Sequence, residues 1–245
     1  MSQSCFILPH IRPNARLRLF CFPYAGGSAA IFKHWQNDLP NDIELVYFQP
    51  PGRSTRIDEP PAVTMEQLIS ELMKNMHFIT EKPYAFFGHS LGSRVAFELA
   101  LQLQAQRQPL PKVLIASGSR APHVLSHKPN IAHLEQAEFV HELKKLNGTS
   151  SAVLQHEELM SFLYPMLKAD FSIAESYVAT GEAIRCPIHV FSGCDDDISE
   201  EQLLAWQDLT SNKATLTYLQ GDHFFIDKDP QALLSHVNKI IIALL

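Results

Sequence analysis

Short apolar runs recur along the chain and alternate with longer amphipathic stretches. "RLRLFCF" (16–22), "IELVYF" (43–48), "YAFFG" (84–88), "KVLIASG" (112–118), "CPIHVFSG" (186–193) and "ATLTYLQG" (214–221) read as strands. Between them, "TMEQLISELMKNMHFI" (64–79) sets Met65, Leu68, Ile69, Leu72, Met73, Met76 and Ile79 at helical spacing. Thr64 is placed to cap that helix, with Gln67 three residues on. Helices are also expected over 90–106 and, closing the chain, over 230–245. Strands alternating with helices predict an α/β fold with a mostly parallel sheet covered on both faces.

One region breaks the alternation. Residues 121–181 hold no convincing strand. "LEQAEFVHELKKLNG" sets Phe139, Leu143 and Leu146 on one helical face and stops at Gly148. "EELMSFLYPMLKADFSIAESYVA" is helical too, with an interruption expected at Pro165. Helices inserted between two strands of a sheet read as a lid over one edge, within a single domain spanning 1–245.

Composition narrows the class. A chain of 245 residues with 46% apolar and 19% charged residues is long enough for one large core. The net charge of −6, with no Lys/Arg cluster, argues against a nucleic-acid partner. The N-terminal "CFIL" is too short for a signal-peptide core, and no apolar stretch reaches the roughly 18 residues that a membrane span requires. The four cysteines, at 5, 21, 186 and 194, form no CxxC pair and show no zinc-ligand spacing, which points to a reduced, cytoplasmic setting. Twelve His are scattered without an HExxH motif or a His-rich tract, so no metal site is expected.

The chemistry centres on "GHSLG" (88–92), which fits G-x-S-x-G. A strand-like run precedes it and a helix-like run follows, the strand–turn–helix context of a nucleophile elbow. Ser90 is then a candidate nucleophile, exposed above the sheet at a helix N-terminus whose dipole favours developing negative charge. A serine hydroxyl needs a base. His223, in "QGDHFFID" directly after a strand, is in the right chain order; His89 should point away from Ser90 as a support, and His189 should be packed. The acid should leave the end of the preceding strand, where "FSGCDDDISEE" offers Asp195, Asp196 and Asp197, among which spacing does not choose. Two of the three also read as solvated loop charges, one of which suits a cap for the helix starting near Ser199. For an oxyanion hole, one donor should be the backbone N–H of Leu91, and the second should come from "FCFPYAGGSAA" (20–30).

Taken together, "FPYAGGSA", "PPGRSTRIDEP", "FFGHSLGSRVAFELA", "LKADFSIAESY", "FSGCDDDIS" and "GDHFF" resemble, in this order and over nearly the whole chain, the type II thioesterases. These are stand-alone enzymes of the α/β-hydrolase fold that accompany non-ribosomal peptide and polyketide synthases. The resemblance implies Ser90 as nucleophile, His223 as base and, by a G-x-x-D pattern from Gly193, Asp196 as acid. It implies Ala25 as the second oxyanion donor beside Leu91, and a mobile helical lid over 121–181. The partner implied is an acyl- or peptidyl-carrier protein bearing phosphopantetheine, from which stalled or misprimed acyl groups are hydrolysed by a monomeric enzyme without a cofactor. Leu91 stands where Met is common in the family, and Asp197 where Pro is common. Arg53, Arg56 and Arg120 are candidates for basic contacts to an acidic carrier near the site mouth, against the alternative of ordinary solvated arginines. A small-ester esterase, or a thioesterase that terminates fatty-acid synthesis, would share the same triad.

Overall fold

The computed structural model describes residues 5–146, 148–149 and 151–245. Met1–Ser4, part of the stretch read for a leader, and Asn147 and Ser150, within 121–181, lie outside the described residues. Among the described residues, seven strands form one sheet: β1 (Phe6–Ile7), β2 (Leu17–Phe22), β3 (Ile43–Phe48), β4 (Tyr84–His89), β5 (Leu114–Ser117), β6 (Ile188–Gly193) and β7 (Ala214–Leu219). Their spatial order is β1-β3-β2-β4-β5-β6-β7. Only the short edge strand β1 runs antiparallel, against β3; the other pairs are parallel.

Every residue of β2, β3 and β4 is buried. Such strands have no solvated face, so their sequences run mostly apolar, and the two charged residues within them, Arg18 and Glu44, are buried as a pair at 2.6 Å. Alternate residues serve opposite layers. Leu17, Leu19, Cys21, Tyr47 and Phe87 face one core, shared with Trp35 and with helix α9 (Pro230–Ile242) through Leu233, Leu234, Val237 and Ile241. Phe20, Phe22, Val46 and Phe86 face the other, shared with α1 (Met65–Met73) and α3 (Leu91–Ala105).

The helix expected over 64–79 is two helices, α1 and α2 (Met76–Thr80). Asn75 separates them, its side-chain amide donating to the Glu71 carbonyl at 3.2 Å in competition with the helix. Thr64 caps α1, its hydroxyl accepting from Gln67 N–H. Between β5 and β6, among the described residues, the chain forms helices and no strand: α4 (Gln136–Lys145), α5 (Ser151–Leu154) and α6 (Glu157–Ser176). They share a small core of Ile131, Phe139, Leu143, Met160, Met166 and Leu167. The interruption expected at Pro165 is absent: α6 runs through it. Its flanking turns are held by packing of Met160, Met166 and Leu167, and by Tyr164 Oη donating to the Leu134 carbonyl at 2.8 Å. This packing outweighs the hydrogen bond that proline removes.

The connections open a crevice at the middle of the sheet. The chain leaves β2 toward β3 on one side and returns to β4 on the other, so adjacent β2 and β4 send their C-terminal loops in opposite directions. The crevice at such a switch point is where open α/β sheets place ligands. Helix α7 (Glu200–Leu204) is capped by Ser199 itself and not by an aspartate of "CDDD", because the Ser199 hydroxyl reaches Gln202 N–H in a reciprocal capping box; α8 (Phe225–Lys228) follows β7. Among the described residues no helix is long and apolar enough to cross a membrane.

Candidate active site

Ser90 stands between β4 and α3 with φ 53° and ψ −114°. This left-handed backbone is costly for a residue with a side chain. The surrounding structure imposes it. A Cβ added at Gly88 would lie 2.2 Å from the Gly92 carbonyl oxygen, and one at Gly92 would lie 2.1 Å from that of Phe22. Only glycines let α3 fold back over β4 and press on the end of β2. Ser90 N–H donates to the Ser117 carbonyl at 2.7 Å, and Ser93 Oγ to the Gly88 carbonyl at 2.7 Å, which pins the turn from below.

His223 enters from the loop between β7 and α8. Its Nε2 lies 3.0 Å from Ser90 Oγ and its Nδ1 lies 2.8 Å from Asp196 Oδ2. Asp196 follows β6. A tight turn, with Asp196 N–H donating to the Gly193 carbonyl at 3.2 Å, directs its side chain inward, where it is 1% exposed. Burial pushes the Asp196 carboxyl up, but the hydrogen bond and charge of His223 outweigh this and hold it below the usual carboxylate range. Its neighbours point elsewhere. Asp195 is exposed, and Asp197, its side chain 80% exposed, pairs with Lys128 at 3.2 Å. Three of the residues singled out in the sequence are thus brought into one line, Ser90–His223–Asp196.

His89 lies behind this line. One ring nitrogen is 2.9 Å from Ser117 Oγ and the other 2.9 Å from the His223 carbonyl oxygen, so it braces the backbone that carries the imidazole. Burial, reinforced by the charge of His223, pushes its pKa down to about 3, and the ring is neutral. His189 is half-buried in β6 with Nδ1 2.7 Å from Thr215 Oγ1.

Ser90 and His223 open on a cleft of about 310 Å³ whose walls include Ala25, Phe171 and Phe224. Ala25 belongs to the loop after β2, and Leu91 is the first residue of α3, where a backbone N–H has no acceptor within the helix. A wider cleft of about 490 Å³ beside α7, between His123 and Leu204, contains none of these groups.

The arginines differ from expectation. Arg53, Arg56 and Arg120 are 5%, 3% and 7% exposed, neither solvated nor available to a partner. Arg53 pairs with Asp170 of α6, and Arg56 with Glu59 and Glu71. The cations that do line the cleft are Lys128 and Lys145. Asp170 escaped the sequence reading, although a signal was present. It falls on the same helical face as Met166, Leu167 and Ile173, where an acidic residue implies a buried cationic partner.

A parallel sheet with a strained serine at its switch point defines the α/β-hydrolase fold, and this chain has it. Residues 17–241 match the family model of the thioesterase domain. The chain therefore belongs to the thioesterase family, whose members hydrolyse thioesters. It is 36% identical to the gramicidin S biosynthesis protein GrsT of Aneurinibacillus migulanus, covering 96% of this chain and 92% of that protein. It is 31% identical to the human medium-chain S-acyl fatty acid synthase thioesterase, covering 92% and 86%. Among solved structures, ClbQ from the colibactin NRPS/PKS pathway superimposes with a TM-score of 0.87 at 35% identity, covering 94% of this chain and 98% of that one.

Proposed function

We infer that this protein hydrolyses acyl groups from the phosphopantetheine thiol of a carrier protein in non-ribosomal peptide or polyketide synthesis, clearing stalled or misprimed chains. The reading is carried by the Ser90–His223–Asp196 line, with hydrogen-bond distances of 3.0 and 2.8 Å beside an open cleft. Its substrate is argued from the relatives named for gramicidin S and colibactin biosynthesis, which match over nearly their full lengths.

In this reading His223 Nε2 takes the Ser90 proton as Oγ attacks the thioester carbonyl. Asp196 holds the other nitrogen protonated and stabilises the imidazolium that forms. The N–H groups of Ala25 and Leu91 receive the oxyanion. The tetrahedral intermediate collapses, and the pantetheine sulfur leaves with the proton from His223. Water, deprotonated by His223, then attacks the acyl-enzyme, and Ser90 leaves with that proton while the free acid departs. Each step uses side chains and backbone of this chain, with no metal or redox group.

Residues 121–181 act as a lid over this site within one hydrolase domain, and the protein works as a monomer in the cytoplasm. The carrier approaches the cleft mouth, where Lys128 and Lys145 lie.

The test compares hydrolysis of acyl groups on a phosphopantetheinylated carrier with the matching acyl-CoA and a p-nitrophenyl ester, with Ser90→Ala as control. A higher kcat/KM for the carrier-bound thioester is expected. Faster turnover of the simple ester, without carrier preference, refutes the substrate assignment. Preference for carriers of a fatty acid synthase over those of a peptide or polyketide synthase refutes the pathway assignment. A sedimentation mass of twice 27.6 kDa refutes the monomer.

A further inference from the structure

Two sequence segments, "PPGRS" and "LKADF", contribute nothing to the Ser90–His223–Asp196 line, yet the fold joins them. Arg53 Nη2 donates to Asp170 Oδ1 at 2.7 Å, and Arg53 Nη1 donates to Asp170 Oδ2. Both residues are 5% exposed. The pair does more than neutralise itself. Asp170 Oδ2 also accepts from the Gly26 backbone N–H at 2.7 Å, and Arg53 Nη1 also donates to the Gly27 carbonyl at 3.2 Å. Arg53 Nε donates to the Pro51 carbonyl at 3.3 Å. Every nitrogen of the guanidinium is therefore engaged.

The groups they hold follow Ala25 directly. The peptide plane that carries Gly26 N–H also carries the Ala25 carbonyl, so fixing it fixes one side of Ala25. This stretch has little stiffness of its own: two glycines follow Ala25, and Gly26 has φ +80°. A Cβ at Gly26 would lie 2.7 Å from Leu167 Cδ2, which shows how closely α6 lies on the loop. Gln49, fully buried, extends the clamp, accepting from Ala29 N–H at 3.3 Å and donating to the Arg53 carbonyl at 3.3 Å.

An oxyanion donor is effective only when it is oriented before charge develops. A buried ion pair, by contrast, adds little net stability over a well-packed apolar pair, although leaving one partner alone is costly. The value of this pair lies in the direction of its bonds.

We propose that Arg53 and Asp170 are positioning residues that hold the Ala25 N–H in the oxyanion hole, so that α6 supplies part of the catalytic geometry. The proposal rests on the reading of Ala25 as an oxyanion donor. It predicts that the pair acts on the transition state and not on ground-state binding.

Two variants test it: Arg53→Met/Asp170→Leu, which removes both charges together, and Asp170→Asn, which keeps the shape of the side chain. Each is measured for kcat and KM on an acyl-pantetheine thioester, and for thermal melting. Affinities are taken for two analogues: a trifluoromethyl ketone that forms a tetrahedral oxyanion on Ser90, and an unreactive thioether. The expected result, in whichever variant keeps the parent melting profile, is a fall in kcat of about 10-fold to 10²-fold, bounded by the roughly 10²–10³ for loss of a whole donor. The ketone should weaken in proportion, while KM and thioether affinity stay within about twofold, as expected for an interaction made only in the transition state. Unchanged kcat in a folded variant overturns the proposal, as does an equal loss of ketone and thioether affinity. If the ketone binds the parent and Ser90→Ala equally well, the catalytic reading of the site fails instead. Normal Ser90 dependence with indifferent variants sinks only the positioning role.

Discussion

Exchanging single aspartates in "CDDDIS" separates three side chains that chemistry alone treats as equals. Asp196→Asn keeps the size of the side chain and its place beside His223 Nδ1, 2.8 Å away. The amide then presents either a donor to a nitrogen that must itself donate, or an acceptor without charge. A change of this kind in a Ser-His-Asp site costs about 10⁴ in kcat, equivalent to about 5.4 kcal/mol of transition-state stabilisation. Asp195→Asn alters an exposed side chain and should leave kcat within about twofold. Asp197→Asn breaks one exposed pair with Lys128, worth about 0–1 kcal/mol, and should alter neither kcat nor stability measurably. The assay is thiol release from an acyl-pantetheine substrate under saturating conditions. Single-turnover acylation and melting temperature are measured alongside. Comparable losses in Asp195→Asn and Asp196→Asn would refute the argument, as would a loss below about tenfold in Asp196→Asn.

Other outcomes are set by the same geometry. Ser90→Ala should abolish turnover while retaining the parent circular dichroism spectrum; residual turnover above about 1% of parent would exclude the serine as nucleophile. Gly92→Ala places a Cβ 2.1 Å from the Phe22 carbonyl oxygen, so it should lower stability by about 1–3 kcal/mol and reduce kcat by displacing the loop after β2. A parent-like melt would argue against that close approach. His89 is neutral in the fold, with its pKa depressed to about 3, while the unfolded chain binds a proton near its ordinary value of 6.5. Its contribution to stability is therefore complete above about pH 6.5 and is lost as pH falls toward 3, at up to about 1.4 kcal/mol per pH unit. His89→Gln should flatten this acid limb in urea melts at about pH 7 and pH 4.5; parallel losses in variant and parent would contradict the assignment.

The central strands were legible because burial on both faces leaves a mostly apolar run between turn residues, interrupted in β2 and β3 by Arg18 and Glu44, which pair with each other. β3 coincides with "IELVYF", and β2 differs from "RLRLFCF" only at its first residue. Ser90 was legible because the crossing of β4 and α3 leaves room only for glycine on either side of it. Other features depend on distance in space. Which aspartate meets His223 is decided by the turn at Gly193, and spacing along the chain does not encode that choice. Arg53 and Arg56 looked like surface charge because the carboxylates that bury them, Asp170 and Glu71, lie far along the sequence, and the nearby Glu59 alone reads as an ordinary surface pair. Pro165 reads locally as a break, and only the packing of α6 against α4 shows why the helix continues. β1 is too short, at Phe6–Ile7, for any periodicity to announce it.

The backbone of Ser90 carries a liability for anyone who wishes to make this protein more robust. At φ 53° and ψ −114°, a residue with a Cβ costs about 1–3 kcal/mol that glycine largely avoids. Ser90→Gly should therefore melt at a higher temperature than the parent while being inert. Libraries screened for heat resistance alone will enrich for dead molecules at this position, because conformational ease and chemical competence oppose each other there. Hardening the scaffold has to begin far from the elbow and be scored by turnover.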